Sequence, residues 1–511
     1  MITHSETSKK WALAATIIGS SMAFVNGSVV NVALPAIQTA LDATVADMQW
    51  VISIYTFILG TLILTGGSAG DYYGRKRIFG LGIFIFLLST IWCGLAPNVQ
   101  QLILARAGQA LGGAFMIPGS LAIITDLYEE GERGKAIGTW SAATALATAT
   151  GPLMGGILVD YFSWRFIFLI SVPMAVIALA ILFWRVPESK EREQNAKPDW
   201  GGSLLATLSL GLICYGLIEG SEFGMIHPFV LLTLATGGLV LTAFIWLEKK
   251  TENPMVPLSI FKSSTFSGAN LVTMSFFLSL AGVFFLLPFN LIQVQGYSAT
   301  AAGAAFIPFP LLVGSLSRWS GGLIARYGAR PMLVVGPVLT SLGFVLLGIL
   351  GDGSSYWVNF LPGIAFMGLG VAVSFAPLNT VVMSSVDQSL TGTASGINKA
   401  VSRLSGMLSV ALLGAVAINI FGSELLEWMQ YNDIPDHLSK EMIEQKANLV
   451  KAVIPEQVDP AMRKVLQKGL NESFLNSFKT MMYISAGIVL CGAPCAATMV
   501  NYHPGRDEEK K

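Results

Sequence analysis

Apolar runs of roughly 20 residues recur along this chain, each long enough to cross about 30 Å of hydrocarbon. A segment crossing a bilayer must satisfy its own backbone hydrogen bonds, so these runs are expected as helices. The charge content agrees. Only 12% of the 511 residues are charged and 53% are hydrophobic, with a mean hydropathy of +0.63; a soluble chain carries about twice that charged fraction. The expected class is an all-α integral membrane protein that crosses the bilayer many times.

The pattern predicts fourteen helices, over 11–36, 48–69, 78–96, 99–124, 135–159, 164–184, 200–219, 228–247, 268–292, 301–325, 331–350, 356–378, 393–421 and 475–500. Basic residues collect in alternate loops: Lys9-Lys10, Arg75-Lys76-Arg77, Arg133 and Lys135, Arg185 to Lys197, Lys249-Lys250 and Lys262, Arg326 and Arg330, Lys399 and Arg403. The positive-inside rule places those loops, and both termini, in the cytoplasm. Lys9-Lys10 before an apolar run looks like a signal peptide, but Trp11–Leu34 is too long for one and is expected to stay as the first helix. A net charge of zero implies no nucleic-acid partner. The four cysteines fall in apolar runs and read as packing residues. The four histidines fall in tails and loops without ligand spacing, so no metal site is expected.

Between the second and third runs lies Gly67-Ser68-Ala69-Gly70-Asp71-Tyr72-Tyr73-Gly74-Arg75-Lys76-Arg77. One acid and three consecutive bases on a turn of small residues resemble motif A of the major facilitator superfamily. A weaker copy follows as Gly321-Gly322-Leu323-Ile324-Ala325-Arg326-Tyr327-Gly328-Ala329-Arg330, with Ala325 in the place of Asp71. The copies follow the second and tenth helices, eight apart, whereas two plain six-helix halves would set them six apart. The major facilitator fold is therefore expected with an inserted pair. That gives a tail at 1–10, a six-helix bundle at 11–184, linkers and two inserted helices at 185–265, a second bundle at 266–500, and a tail at 501–511. The second bundle contains a long external segment, 422–473. In it Met462, Val465, Leu466, Leu470 and Phe474 recur at helical spacing, predicting an amphipathic helix on the outer mouth or at the interface.

Helix 1 reads Phe24-Val25-Asn26-Gly27-Ser28-Val29-Val30-Asn31. Amides inside a bilayer helix need partners, either on neighbouring helices or in a central cavity. The segment resembles the helix-1 signature of the fourteen-helix drug:proton antiporters, in which an acid usually stands where this chain has Asn26. Helix 4 carries Arg106 and Gln109, spaced like motif B of the superfamily. An intramembrane arginine is a functional candidate by default; snorkelling to the outer surface is the other reading. Helix 5 carries Gly151-Pro152-Leu153-Met154-Gly155-Gly156, which resembles motif C, the mark of exporting antiporters. Trp50 and Tyr55 on helix 2, with Phe284, Asn290 and Gln293 on helix 9, join Asn26 and Asn31 as candidates for a substrate cavity; an interfacial aromatic belt explains Trp50 equally well, and membrane-facing packing is the other reading of Phe284.

The resemblance implies alternating access between two bundles, with no cofactor and a proton gradient as the driving force. It implies a gate formed by Gly67, Asp71, Gly74, Arg75, Lys76 and Arg77, and a proton path or cavity at Arg106 and Gln109. The expected cargo is small lipophilic molecules, exported through a bacterial plasma membrane by a monomer, with adaptor and outer-membrane partners if the cell is Gram-negative. An endogenous amphiphile or lipid-like metabolite is the alternative cargo, because acids are scarce at the expected midplane. An enzyme would need a convergent nucleophile, base or metal set. The sequence displays no embedded histidine and no acid pair.

Overall fold

The structure is a computed structural model of the whole chain and describes residues 6–128, 130–188, 199–251, 254, 256–351, 355–386, 391–455 and 458–501. These residues are helical with no strand. The first six expected segments form α1 (Glu6–Ala40), α2 (Val45–Tyr73), α3 (Arg75–Leu95), α4 (Val99–Leu127), α5 (Glu130–Tyr161), and the pair α6 (Phe166–Leu169) and α7 (Ser171–Arg185). The inserted pair forms α8 (Trp200–Phe223) and α9 (Pro228–Lys250). The next four segments form α10 (Ser264–Phe289), α11 (Ala299–Ala305) with α12 (Pro308–Tyr327), α13 (Arg330–Leu350) and α14 (Leu361–Ser384). Then come α15 (Thr391–Tyr431), a short α16 (Asp436–Glu444), and α17 (Pro460–Leu490) continued by α18 (Gly492–Met499).

Among the described residues, thirteen helices are long and apolar enough to cross a membrane, against the fourteen expected. The expected segment outside that set is occupied by α5, a helix of 32 residues. Its stretch from Ser141 to Gly156 is mostly alanine, threonine and glycine rather than large aliphatics, and several of its side chains lie outside the described residues.

Local chemistry sets several helix starts. The side chains of Asn98, Ser263, Ser298 and Asp459 each accept a hydrogen bond from a first-turn amide, satisfying donors that an α-helix leaves free. Pro460 follows Asp459 at the first helical position, where its missing N–H costs nothing. Two segments wind wider than an α-helix: Asn290–Val294, which starts two residues after Pro288, and Tyr356–Phe360.

The chain divides into two compact units. One comprises Met1–Ala33, Val51–Leu212 and Ala235–Leu258; the other comprises Leu34–Trp50, Ile213–Leu234 and Ser259–Lys511. In the first, Met22, Tyr55, Leu59, Phe79, Ile83, Phe86, Ile117 and Leu182 share one apolar core. In the second, Asn398 on α15 donates to Asn270 Oδ1 (3.1 Å) and Thr273 Oγ1 (2.7 Å) on α10, so buried amides are satisfied across helices. The repeat seen in the sequence has a backbone counterpart. Gly74 ends α2 with φ +113° and Gly328 ends α12 with φ +75°, and each is followed within two residues by a basic residue that opens the next helix.

The 422–473 segment carries the expected helical stretch, with different bounds. α15 continues to Tyr431, and α17 begins at Pro460 rather than near 475, so the amphipathic stretch is the first part of the last long helix. The cause is its apolar stripe: Leu466, Gly469, Leu470, Ser473 and Phe474 are buried, whereas Val465 is exposed. Across from the stripe, Trp428 Nε1 on α15 donates to Glu472 Oε2 (2.7 Å), and Asn476 Nδ2 donates to Glu424 Oε2 (2.9 Å). Leu438, Met442, Leu449 and Val450 of the connecting segment are buried as well.

A Cβ on Gly469 would come 2.5 Å from the Trp428 ring. Gly469→Val is expected to overpack this hairpin at a cost of about 1–3 kcal/mol. Thermal unfolding of the purified protein checks this, and Trp428→Ala in the same chain is expected to relieve part of the loss.

Candidate functional site

Helices of the first unit converge on one guanidinium. Arg106, on α4, is 1% exposed, so it does not snorkel to a surface. Its Nε donates to the Val51 carbonyl on α2 (3.2 Å). Its Nη1 donates to the Asn26 carbonyl on α1 (3.4 Å) and to Gln109 Oε1 one turn along α4 (2.9 Å). The guanidinium carbon lies 4.1 Å from the centre of the Tyr55 ring and 5.9 Å from that of Phe168. The Tyr55 hydroxyl donates to the Ala23 carbonyl (2.7 Å), which fixes the ring beneath the cation.

Burying a cation costs several kcal/mol even after relaxation. Here carbonyl and amide dipoles offset that cost, since hydrogen bonds from a charged donor are about twice as strong as neutral ones. The aromatic face adds about 2 kcal/mol when desolvated. Among the described residues no carboxylate pairs with Arg106.

Asn26 is fully buried and uses its whole amide. Nδ2 donates to the Met22 carbonyl (3.0 Å) and to Ser171 Oγ on α7 (2.8 Å), while Oδ1 accepts from Gln109 Nε2 (3.4 Å). Gln109 Nε2 also donates to Thr90 Oγ1 on α3 (2.7 Å). An aspartate could not make both donations. The network therefore fits asparagine as a two-donor group, and Asn26, Gln109, Thr90 and Ser171 do not titrate in the physiological range. What it can do is hold a fixed positive charge and orient dipoles about it.

The loop resembling motif A is also in this unit. Gly74 breaks the chain between α2 and α3, and Arg75, Lys76 and Arg77 form the first turn of α3. Arg75 Nη1 lies 3.4 Å from Asp126 Oδ1, near the end of α4. Glu188, just after α7, receives the rest: Arg77 Nε lies 3.5 Å from Oε2, and the Lys76 amide donates to Oε1 (3.0 Å). Gly67 approaches Pro118 of α4. The side chain of Asp71 lies outside the described residues.

The glycines resembling motif C form a close seam between α5 and α1. A Cβ on Gly151 would strike Ser28 Oγ, and one on Gly155 would come 2.7 Å from the Val29 carbonyl oxygen. Pro152 lies between them inside the helix, and Gly156 is buried beside them. Small residues at these positions let the two backbones touch.

The structure thus brings Asn26, Tyr55, Arg106 and Gln109 into one network, with Asn31 half-buried farther along α1. The remaining candidates belong to the second unit. Trp50 packs on Tyr215, with ring centres 5.9 Å apart. Phe284 meets Phe306 (5.5 Å) and Phe309 (5.0 Å). Asn290 Nδ2 donates to the Gly351 carbonyl (3.1 Å), and Gln293 Nε2 donates to Gln38 Oε1 (3.1 Å). Sequence reasoning did not select Thr90, Ser171 or Glu188. Thr90 and Ser171 are single small polar residues in apolar runs, a pattern too common to flag. Glu188 carried a signal, as the first acid after α7 beside Pro187.

Two outcomes are expected from this geometry. Arg106→Lys keeps the charge but loses the planar fork that reaches three acceptors, and should lower stability by about 2 kcal/mol in a detergent melt. Gly74→Ala should cost about 1–2 kcal/mol, because φ is positive and the new Cβ would come 2.9 Å from Glu188 Oε1. Melting Glu188→Ala/Gly74→Ala separates the two causes, since only the contact is relieved.

A profile of the Major Facilitator Superfamily matches residues 16–410. Multidrug resistance protein Stp of Mycobacterium tuberculosis is 34% identical over 441 residues, covering 85% of this chain and 81% of that protein. Puromycin resistance protein pur8 of Streptomyces alboniger is 33% identical, covering 80% and 81%. Among solved structures, a bacterial homologue of the human lysosomal transporter Spinster superposes over 98% of this chain and all of that one. Its TM-score is 0.68 at 17% identity, a likeness of fold. With its repeated loop, its membrane helices and this extent of matched sequence, the chain belongs to the Major Facilitator Superfamily, as a multi-pass membrane transporter.

Proposed function

We propose that this protein exports small lipophilic drugs or toxic amphiphiles from a bacterial cell by alternating access, driven by proton entry. The observation that carries the reading is the extent of sequence shared with resistance proteins. Stp and pur8 each match at least four-fifths of this chain, and the tetracenomycin C resistance and export protein of Streptomyces glaucescens matches 95% of it at 28% identity. The close α1–α5 seam at Gly151 and Gly155, in the motif associated with exporters, supports the same direction of transport.

In this reading the protein works as a monomer in the plasma membrane with both termini in the cytoplasm. Asp71 and the bases Arg75, Lys76 and Arg77 form the cytoplasmic gate. Asp126 and Glu188 hold Arg75 and Arg77 in place when the gate is made. Arg106 and Gln109 shape the cavity beside Asn26, and the fixed guanidinium disfavours cationic cargo there. That charge, with no carboxylate paired to it among the described residues, favours neutral or weakly acidic amphiphiles. It is also the reason to keep an endogenous amphiphile as the second reading of the cargo.

Purified protein in liposomes under an imposed pH gradient tests the proposal. A lipophilic dye is expected to move against the proton flow and to dissipate the gradient; dye movement indifferent to the gradient overturns proton coupling. Asp71→Asn is expected to insert normally and lose most transport. Asn26→Asp places a carboxylate beside Arg106 and is expected to shift the pH profile of transport, whereas a superimposable profile removes position 26 from the proton path.

A further inference from the structure

The inserted helices carry a pair of acids that the export reading does not use. Asp199 immediately precedes α8, and Glu248 lies near the end of α9. Both belong to the first unit. Each carboxylate commits one oxygen to a backbone amide. Asp199 Oδ1 accepts from Gly202 N (2.7 Å), and Glu248 Oε2 accepts from Val256 N (2.9 Å). The remaining oxygens, Asp199 Oδ2 and Glu248 Oε1, are buried and have no hydrogen-bond partner among the described residues.

Those two oxygens face each other. Each lies 2.5 Å from the point where a Cβ on Gly202 would stand, so they are within twice that distance of one another. Glycine at 202 is what leaves room for them. Glu248 is 3% exposed, and Asp199 is half-buried. Neither carboxylate forms an ion pair among the described residues. Lys249 and Lys250 follow Glu248 in the chain, and Lys250 Nζ instead lies 3.9 Å from the centre of the Trp246 ring. On α2, Thr65 contributes a neutral hydroxyl, which bonds to Ser203. Asp71 is the acid farther along that helix. Two acceptor oxygens held together in a buried place, each fixed by its own amide, lack one hydrogen.

We propose that Asp199 and Glu248 form a proton-binding site in which one proton is shared between Asp199 Oδ2 and Glu248 Oε1. Protonated, the pair ties the start of α8 to the end of α9 through an O–H···O⁻ bond. Deprotonated, it sets two like charges against each other at the base of the inserted helices. The tie reaches α2, because Ser203 Oγ donates to the Asp199 carbonyl (2.8 Å) and bonds to Thr65, and α2 leads into the Gly67–Arg77 loop. Proton occupancy here thus sets how firmly the inserted helices hold the gate-bearing helix. The proton site itself does not rest on the export reading; its effect on the gate does.

The test uses full-length protein in lipid nanodiscs, without cargo. Infrared difference spectra taken across the neutral pH range are expected to show the C=O band of a buried carboxylic acid titrating in the wild type. Both Asp199→Asn and Glu248→Gln should lose that band. Glu248→Gln supplies a permanent N–H donor to Asp199 Oδ2, so it should fold and mimic the protonated pair. Wild-type melting temperature is then expected to fall as pH rises through the titration, while that of Glu248→Gln stays flat. Superimposable infrared titrations, or parallel stability curves, overturn the proposal. A wild-type band that appears only when sodium or magnesium is withdrawn also overturns it, and makes the pair a cation site.

Discussion

A single buried guanidinium sets the terms for the first half of this molecule. Arg106 draws on the Val51 carbonyl of α2, the Asn26 carbonyl of α1 and the Gln109 amide of α4, and rests on a ring that is itself bonded to α1. With no carboxylate to neutralise it among the described residues, its charge is spread over dipoles from several helices, so none of them can move without weakening the others. Such a group is expensive to bury and strongly dependent on geometry. The helices around it are best regarded as one rigid body whose cohesion is partly electrostatic.

The same accounting distinguishes the two kinds of polar residue in the fold. Asn26, Gln109, Asn270 and Asn398 complete their hydrogen bonds across helices and act as fixed joints. Asp199 and Glu248 complete only half of theirs. The first kind specifies which helices are neighbours; the second is sensitive to what the solution offers.

Much of the fold was legible in the sequence because the bilayer leaves few options. Apolar length located the membrane segments, and the Gly67–Arg77 loop with its echo at Gly321–Arg330 placed the inserted pair. After Gly422 the helical spacing of Met462 to Phe474 was legible, but the helix ends were not: α15 runs on to Tyr431 and α17 starts at Pro460. Helices α15 and α17 leave the apolar zone yet stay helical, since their polar faces point outward and Trp428 lies over Gly469. Asn26, Tyr55, Arg106 and Gln109 were each visible as residues out of place in a membrane helix. Their meeting was not, because it depends on the rotation of three helices. The acid pair was missed for a related reason: Asp199 and Glu248 are 49 positions apart, in stretches that read as linker ends, and only the return of α9 beside α8 unites them.

The wide turn at Asn290–Val294 has a consequence for reading this helix by periodicity. A π-turn spends an extra residue on nearly the same rise, so every later side chain is displaced about the axis by roughly the 100° that one α-helical residue occupies. Gln293 meets Gln38 from inside that turn. A helical wheel drawn straight through from α10 would assign Gln293 to another face. The shift is confined to Asn290–Val294 itself, because the helix closes at Gln295 and the chain restarts as α11 at Ala299.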